Sequence, residues 1–479
     1  MNRDSFYPAI ACFPLLLMLA GCAPMHETRQ VLSQQTPAAQ VDTVLPTALK
    51  NGWPDSQWWL EYHDNQLTSL INNALQSAPD MQVAEQRIQL AEAQAKAIAT
   101  QDGPQLDFSA DMERQKMSAE GLMGPFALND PAAGTTGPWY TNGSFGLTAG
   151  WHLDIWGKKR GGGDARPGGR ERGGGGDGDH PRQLLAGSVA RLYWEWQTQA
   201  ALNTVLQQIE KEQNTIIATD RQLYQNGITS SVEGVETDIN ASKTRQQLND
   251  VAGKMKIIEA RLNALTNHQT KSLKLKPVAL PKVASQLPDE LGYSLLARRA
   301  DLQAAHWYVE SSLSTIDAAK AAFYPDINLM AFLQQDALHL SDLFRHSAQQ
   351  MGVTAGLTLP IFDSGRLNAN LDIAKAESNL SIASYNKAVV EAVNDVAQAA
   401  SQVQTLAEKN QHQAQIERDA LRVVGLAQAR FNAGLIAGSR VSEARIPALR
   451  ERANGLLLQG QWLDASIQLT GALGGGYKR

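Results

Sequence analysis

The residue whose surroundings most plainly call for chemistry is Cys22, which closes the run Leu19-Ala20-Gly21-Cys22. Arg3 and an apolar stretch ending in Leu15, Leu16, Leu17, Met18 and Leu19 precede it, a charged and hydrophobic export signal too short to span a bilayer permanently. The small residues admit a peptidase, and the thiol is a nucleophile for attachment of a diacylglycerol. Residues 1–21 are therefore expected to be a signal peptide that is removed, leaving a lipid, diacylglycerol plus an acyl chain such as palmitate, on Cys22. The only other cysteine, Cys12, lies inside the removed segment, so the mature chain has no internal disulfide and no cysteine metal site. Nothing else resembles reaction chemistry. The nine histidines are scattered, with neither His-Glu-x-x-His nor Gly-x-Ser-x-Gly in the chain. His339 and His346, seven apart in an expected outer loop, read as solvated side chains, and no metal site, other cofactor or catalytic residue is expected. A net charge of -5 over 479 residues implies no nucleic-acid partner.

What positions these residues is a chain that repeats itself. Phe145-Gly146-Leu147-Thr148-Ala149-Gly150 sits on Met351-Gly352-Val353-Thr354-Ala355-Gly356 at an offset of 206, and Leu153, Ile155, Trp156 and Arg160 continue onto Leu359, Ile361, Phe362 and Arg366. Tyr224 and Gly227 fall on Phe431 and Gly434 at an offset of 207, and Pro104-Gln105-Leu106 is echoed by Pro325-Asp326-Ile327. We expect a signal peptide (1–21), an N-terminal linker (22–56), a first repeat (57–267), an inter-repeat linker (268–287) and a second repeat (288–474).

Each repeat reads as helix, strand, loop, strand and a long helical hairpin. Strands are expected near 105–114, 144–153, 326–334 and 351–359. In the first, Leu106, Phe108, Ala110 and Met112 alternate with Asp107, Ser109, Asp111 and Glu113. In the second, Phe145, Leu147, Ala149, Trp151 and Leu153 alternate with Ser144, Gly146, Thr148, Gly150 and His152. Segments of this length and period suit an outer membrane crossed at a tilt. No proline interrupts Gln183 to Lys276 or Ile361 to Ile446, and apolar residues recur at helical spacing there. At 1.5 Å per residue, Leu367 to Arg430 would make a rod about 95 Å long. Asn226-Gly227 and Ala433-Gly434 permit the positive-φ turn of a hairpin, so helical tips are expected near Gly227 and Gly434.

Four membrane strands cannot close a barrel alone, because both edges would expose unpaired N–H and C=O groups to lipid at several kcal/mol each. Two copies would give eight strands around a filled interior, and three would give twelve around an aqueous lumen. A trimer is therefore favoured, with Asp107, Ser109, Thr148, His152, Thr354 and Thr358 lining the lumen and their apolar neighbours facing lipid.

At this point the chain resembles the TolC-like outer-membrane efflux factors. The residues that carry the resemblance are Trp58-Trp59 followed by Asp64, Leu67, Ile71, Ala74 and Leu75, together with Leu287-Pro288, Leu295, Leu296, Arg298-Arg299, Asp301 and Ala304-Ala305. One departure is Ala300, where such factors have proline; it should loosen a helix start. The resemblance implies a mainly α protein with a membrane β-barrel. Two tandem repeats, each a long helical hairpin plus two strands, would assemble as a homotrimer whose twelve-strand barrel continues into an α-helical periplasmic tunnel of coiled-coil-like packing. It also implies that a periplasmic adaptor and an inner-membrane drug transporter are partners, that Gly227 and Gly434 mark adaptor-facing tips, and that Arg440 and Glu443 stand where the family has the acidic rings of its aperture. Resemblance to bacterial lipoproteins implies sorting to the outer membrane, since Ala23 follows the cysteine. Passive exit of drugs or other toxic molecules is the expected function. A non-conducting envelope lipoprotein and an exported enzyme are the alternatives.

Residues 161–180 interrupt this pattern with ten glycines in twenty positions. No Gly-Lys-Ser/Thr follows to cradle a phosphate, Gly176-Asp177-Gly178-Asp179 occurs once where a calcium repeat needs several copies, and export removes an RNA-binding role. Such glycine density predicts a non-helical linker. The repeat offset is 206 before it and 207 after it, so the odd residues replace helix without adding length. Two compensating frame shifts, or gene decay, would produce that.

Overall fold

A computed structural model describes residues 25, 29–35, 53–100, 103–118, 120, 139–158, 169–228, 231–267, 273–282 and 292–475, with the backbone alone over 169–180. Cys22, the export signal and most of the N-terminal linker lie outside the described residues.

The element order recurs. The first half has α1 (Asn65–Ser77), α2 (Pro79–Ala99), β1 (Gln105–Lys116), β2 (Trp139–Leu153), α3 (Gly169–Gln225) and α4 (Ser231–Leu265). The second has α5 (Gly292–Arg298), α6 (Ala300–Ala321), β3 (Asp326–Ala337), β4 (Gln349–Thr358), α7 (Arg366–Asn432) and α8 (Gly438–Ala472). The strands run two to five residues past the sequence-based limits at their loop ends, where pairing continues with polar residues that carry no hydrophobic alternation. No helix is long and apolar enough to cross a membrane.

Two compact units are formed. The first comprises residues 1–33, 90–171 and 307–382 and holds the sheet, whose four strands pair antiparallel in the order β1-β2-β3-β4. Below β4, Asp363 accepts from the backbone N–H of Gly365 at 3.0 Å and Leu367 at 2.8 Å, fixing the start of α7. Ile316, Phe323, Leu367, Leu371 and Ala374 form the small core there, with Met25 packed against it. The extended chain after Met25 is held by Asn379, whose amide accepts from Leu32 N–H at 2.8 Å and donates to the Gln30 carbonyl at 3.0 Å.

The second unit comprises residues 34–89, 172–306 and 383–479. Its core gathers Trp58, Trp59, Leu67, Ile71, Ala74, Val189, Tyr193, Trp194 and Leu262. Asp64 caps α1 through the N–H groups of Gln66 and Leu67 and accepts from Tyr193 Oη at 2.7 Å. Burial, with the Asp64 carboxylate beside it, pushes the Tyr193 phenol well above its ordinary value, so it stays a donor. Extended residues 273–282 are held by two glutamines acting in place of a neighbouring strand. Gln66 bonds the N–H and C=O of Lys276, and Gln197 bonds the C=O of Lys276 and the N–H of Val278, at 2.8–3.2 Å. Arg299 ties three elements together through Asp301 at 2.8 Å, Asp395 at 3.3 Å and the Ala472 carbonyl at 3.3 Å. Burial alone would lower its pKa; the two carboxylates outweigh that and raise it. The helix break falls at Arg299, so α6 still starts at Ala300 without the family's proline.

The expectation of a non-helical glycine-rich stretch is corrected over its described part, because α3 begins at Gly169 and runs through Pro181. The reason is cooperative. Leu185, Ala186, Val189, Ala190, Tyr193 and Trp194 are buried and fix the axis of α3, so the residues before them extend an existing helix and bear no nucleation cost. The glycine penalty and the hydrogen bond lost at Pro181 remain as local weakness.

Candidate functional site

Three surfaces carry the residues singled out from sequence. The first is the sheet. Its register sets Leu106, Ala149, Ala331 and Val353 side by side, and Phe108, Leu147, Leu333 and Met351 in the next row. This face is apolar and bare. Phe108 and Met112 are 67% exposed, Met351 70% and Val353 82%. An exposed apolar band running across four strands has no counterpart on an ordinary soluble surface. Aromatic side chains stand near both of its ends, Trp139 at one and Trp151, Trp156, Tyr324 and Phe362 at the other, with Trp156 stacked on Tyr324 at 5.0 Å and donating to the Pro325 carbonyl at 3.0 Å.

The opposite face collects Asp107, Ser109, Thr148, His152, Thr354 and Thr358, all six by strand parity. At its lower end Asp326 is paired with His152 at 3.1 Å and Lys158 at 3.2 Å. Sequence reasoning missed what else stands there. Asn328, Met330, Phe332 and Gln334 of β3 share this face, and Asn328, Phe332 and Gln334 lean over glycines of the adjoining strands. A Cβ at Gly352 would lie 2.8 Å from the Phe332 ring, and one at Gly146 2.5 Å from Gln334. The alternation of Ile327, Leu329, Ala331 and Leu333 marks the apolar face, but the run Leu329 to Leu333 is apolar at every position and so hid what the other face carries; the glycines at 146, 352 and 356 were the available signal.

The second surface is the pair of hairpin tips. Gly227 and Gly434 both have φ of +72°, and both end their helices with the same two bonds. Gly227 N–H reaches the Tyr224 carbonyl and Ile228 N–H the Leu223 carbonyl; Gly434 reaches Phe431 and Leu435 reaches Arg430, all at 2.9 Å. This is the Schellman arrangement, in which a left-handed residue satisfies the last orphan carbonyls. Around each glycine the apolar side chains are left in solvent, with Ile228 and Leu435 each 69% exposed and Tyr224 57%.

The third surface opens α8. Arg440 Nη1 donates to Glu443 Oε2 at 2.7 Å; Arg440 is exposed and Glu443 half-buried, while Val441 and Ser442 between them are buried. The cation thus stands beside the carboxylate on the open side of the helix. In the same unit a groove of about 1180 Å³ runs between α3, α7 and α8, lined by polar side chains including Gln199, Gln398, Gln402 and the Arg191–Asp464 pair. No sequence pattern announced it. Among the described residues no group of three or more His, Cys, Asp or Glu side chains is placed to hold a metal ion.

Residues 70–268 and 291–475 match the outer membrane efflux protein family. The chain belongs to that family. It is therefore an outer-membrane protein of an efflux-channel class, and not an enzyme. Among relatives, it is 95% identical over 479 residues to the multidrug resistance outer membrane protein MdtQ of Escherichia coli O6:H1, covering the whole of both chains. It is 35% identical over 467 residues to MdtP of Shigella flexneri, covering 96% of this chain and 94% of that one. Solved structures share the fold. The Campylobacter jejuni CmeC outer membrane channel superposes with a TM-score of 0.79 at 18% identity, covering 95% of each chain. The open state of Neisseria gonorrhoeae MtrE gives 0.77 at 21%, covering 95% of this chain and 98% of that one.

Proposed function

We propose that three copies of this chain form a passive exit duct in the outer membrane for drugs or other toxic small molecules. The observation that carries the reading is a four-stranded sheet with one bare apolar face and two unpaired edges. In lipid those edges must be paired, and β4 of one copy is antiparallel to β1 of the next, so copies join without breaking the alternation of strand directions. Three copies make twelve strands, a number that leaves a lumen, and the polar face lines it. The aromatic side chains at the ends of the apolar band suit the two membrane interfaces.

The long helices continue the duct into the periplasm as a tunnel of packed rods. Apolar side chains left bare around Gly227 and Gly434 support docking of a periplasmic adaptor at the tips, through which an inner-membrane transporter delivers its substrates. Arg440 and Glu443 lie just past the second tip and form the aperture in this reading. Their ion pair leaves little net negative charge, so the mouth is weakly cation-selective at most. A lipid on Cys22 adds an anchor to the inner leaflet. The high identity to a relative named for multidrug resistance favours drugs as cargo.

The test is conductance of the purified full-length protein in a planar bilayer, together with cross-linking of its oligomer and drug susceptibility of a deletion strain with and without the gene. Trimers, ion current and restored resistance are expected. A protein that crosses into lipid as a trimer yet passes no ions would support a non-conducting envelope spacer, and a monomer soluble without detergent would remove the duct altogether.

A further inference from the structure

The apolar band has an unequal pair of ends, and the inequality concerns charge. On β1 the even-numbered residues Leu106, Phe108, Ala110 and Met112 belong to the bare apolar face, and the register carries the same parity on to Arg114, opposite Thr141, and Lys116, opposite Trp139. Two cations therefore stand on the lipid side of the wall and not on the lumen side. Both are exposed, and among the described residues neither makes an ion pair or side-chain hydrogen bond. At the other end of the strands the nearby cation Lys158 is already neutralised by Asp326.

Height decides what they meet. Ten residues separate Leu106 from Lys116; at 3.4 Å per residue and a tilt near 40° this is a rise of about 26 Å, close to the ~25 Å apolar band of outer-membrane barrels. Leu106 lies at the periplasmic end, since β1 follows the periplasmic helix α2. Arg114 and Lys116 thus reach the headgroup level of the outer leaflet, beside Trp139. The β3–β4 loop adds an apolar shelf on the same side. Leu340 and Leu343 lie within 2.9 Å of a Cβ built at Gly143, and Phe344 stands 5.7 Å from Phe145 while remaining 84% exposed.

We propose that Arg114 and Lys116 form a docking site for the phosphates of lipid A, the glycolipid of the outer leaflet, with Trp139 and Phe344 against its sugar and acyl groups. The proposal rests on the sheet being the membrane wall. A cation beside an anionic headgroup layer is worth about fivefold in binding, so loss of both weakens the contact about thirtyfold.

The experiment uses full-length trimer in detergent and measures affinity by native mass spectrometry for bisphosphorylated lipid A, for the same lipid dephosphorylated, and for phosphatidylglycerol. Wild type should bind bisphosphorylated lipid A about thirtyfold more tightly than the dephosphorylated lipid and about fivefold more tightly than phosphatidylglycerol, which offers one phosphate. R114Q/K116Q should lose that margin, R114K/K116R should keep most of it, and both should conduct within twofold of wild type in phosphatidylcholine bilayers. Equal affinity of wild type for phosphorylated and dephosphorylated lipid A, equal affinity for phosphatidylglycerol, or undiminished binding by R114Q/K116Q would overturn the site. If wild type conducts in those cases the wall reading survives, whereas a wild type that neither inserts nor conducts overturns both.

Discussion

Replacing Val353 by arginine tests which face of the sheet meets lipid. Val353 sits midway along β4, in the row with Ala331, Ala149 and Leu106, and is 82% exposed. If that face is the outer wall, the substituted guanidinium lies inside the apolar band between the periplasmic interface and the midplane, where an arginine on a barrel exterior costs about 1–4 kcal/mol per chain, on the order of 3–12 kcal/mol over three copies. Thr354 is the control, because one step along a strand moves a side chain to the other face. An arginine there enters the lumen, flanked by Gly352 and Gly356, and meets water. Val353→Arg should therefore lower the temperature at which trimers dissociate on semi-native gels and reduce insertion. Thr354→Arg should leave trimer stability nearly unchanged while shifting the reversal potential in a salt gradient toward anions. Equal destabilisation by the two substitutions, or a reversal potential that moves only with Val353→Arg, would refute the assignment of faces and with it the barrel.

The aperture reading predicts that Glu443→Ala raises single-channel conductance, since it breaks the 2.7 Å pair with Arg440; an unchanged trace removes Glu443 from the gate. Alanine at Gly227 or Gly434, both at φ +72°, should destabilise its hairpin by about 1 kcal/mol, additively in the double variant, as read from thermal unfolding. Burial raises the Glu417 carboxyl above its ordinary value, with Arg452 lowering it and Glu451 raising it further. A raised folded-state value means that proton binding favours the folded chain, so the cost of the charged form is present above that value and fades as pH falls through it. Glu417→Gln should accordingly raise the melting temperature at neutral pH, with the gain shrinking on acidification; a gain that grows instead would reverse the sign. Writing a helix-forming sequence into 161–180 should increase trimer yield on native gels, and no increase would mean the glycines are adapted to the chain.

Strand parity was legible in the sequence because one face of the sheet is nearly free of polar residues and the other, over β1 and β2, nearly free of large apolar ones. Where both faces carry apolar residues, as over Leu329 to Leu333, periodicity set Ile327, Leu329, Ala331 and Leu333 on one face but left Phe332 on the other unnoticed; the register with Gly352 locates it. The tips were legible for a local reason, since a left-handed residue favours glycine whatever surrounds it. The groove between α3, α7 and α8 was not, because its walls come from segments over 190 residues apart and its glutamines look like ordinary helix surface. The same holds for Gln66 and Gln197, whose bonds to Lys276 depend on where the inter-repeat chain happens to cross them.

The start of α3 shows why local propensity and helical structure parted. Six glycines fall between Gly169 and His180, and at nearly 1 kcal/mol each they weaken that part of the helix by about 5 kcal/mol relative to alanine. Among the described side chains of α3, burial begins at Leu185. Beyond the segment, Tyr193 bonds Asp64 at 2.7 Å and Trp196 bonds Glu259 at 2.9 Å, contacts that hold the core of α3 in place whatever precedes it. The register of the core thus survives a segment that could not have nucleated a helix by itself, and the weakness is confined to the turns before that core begins.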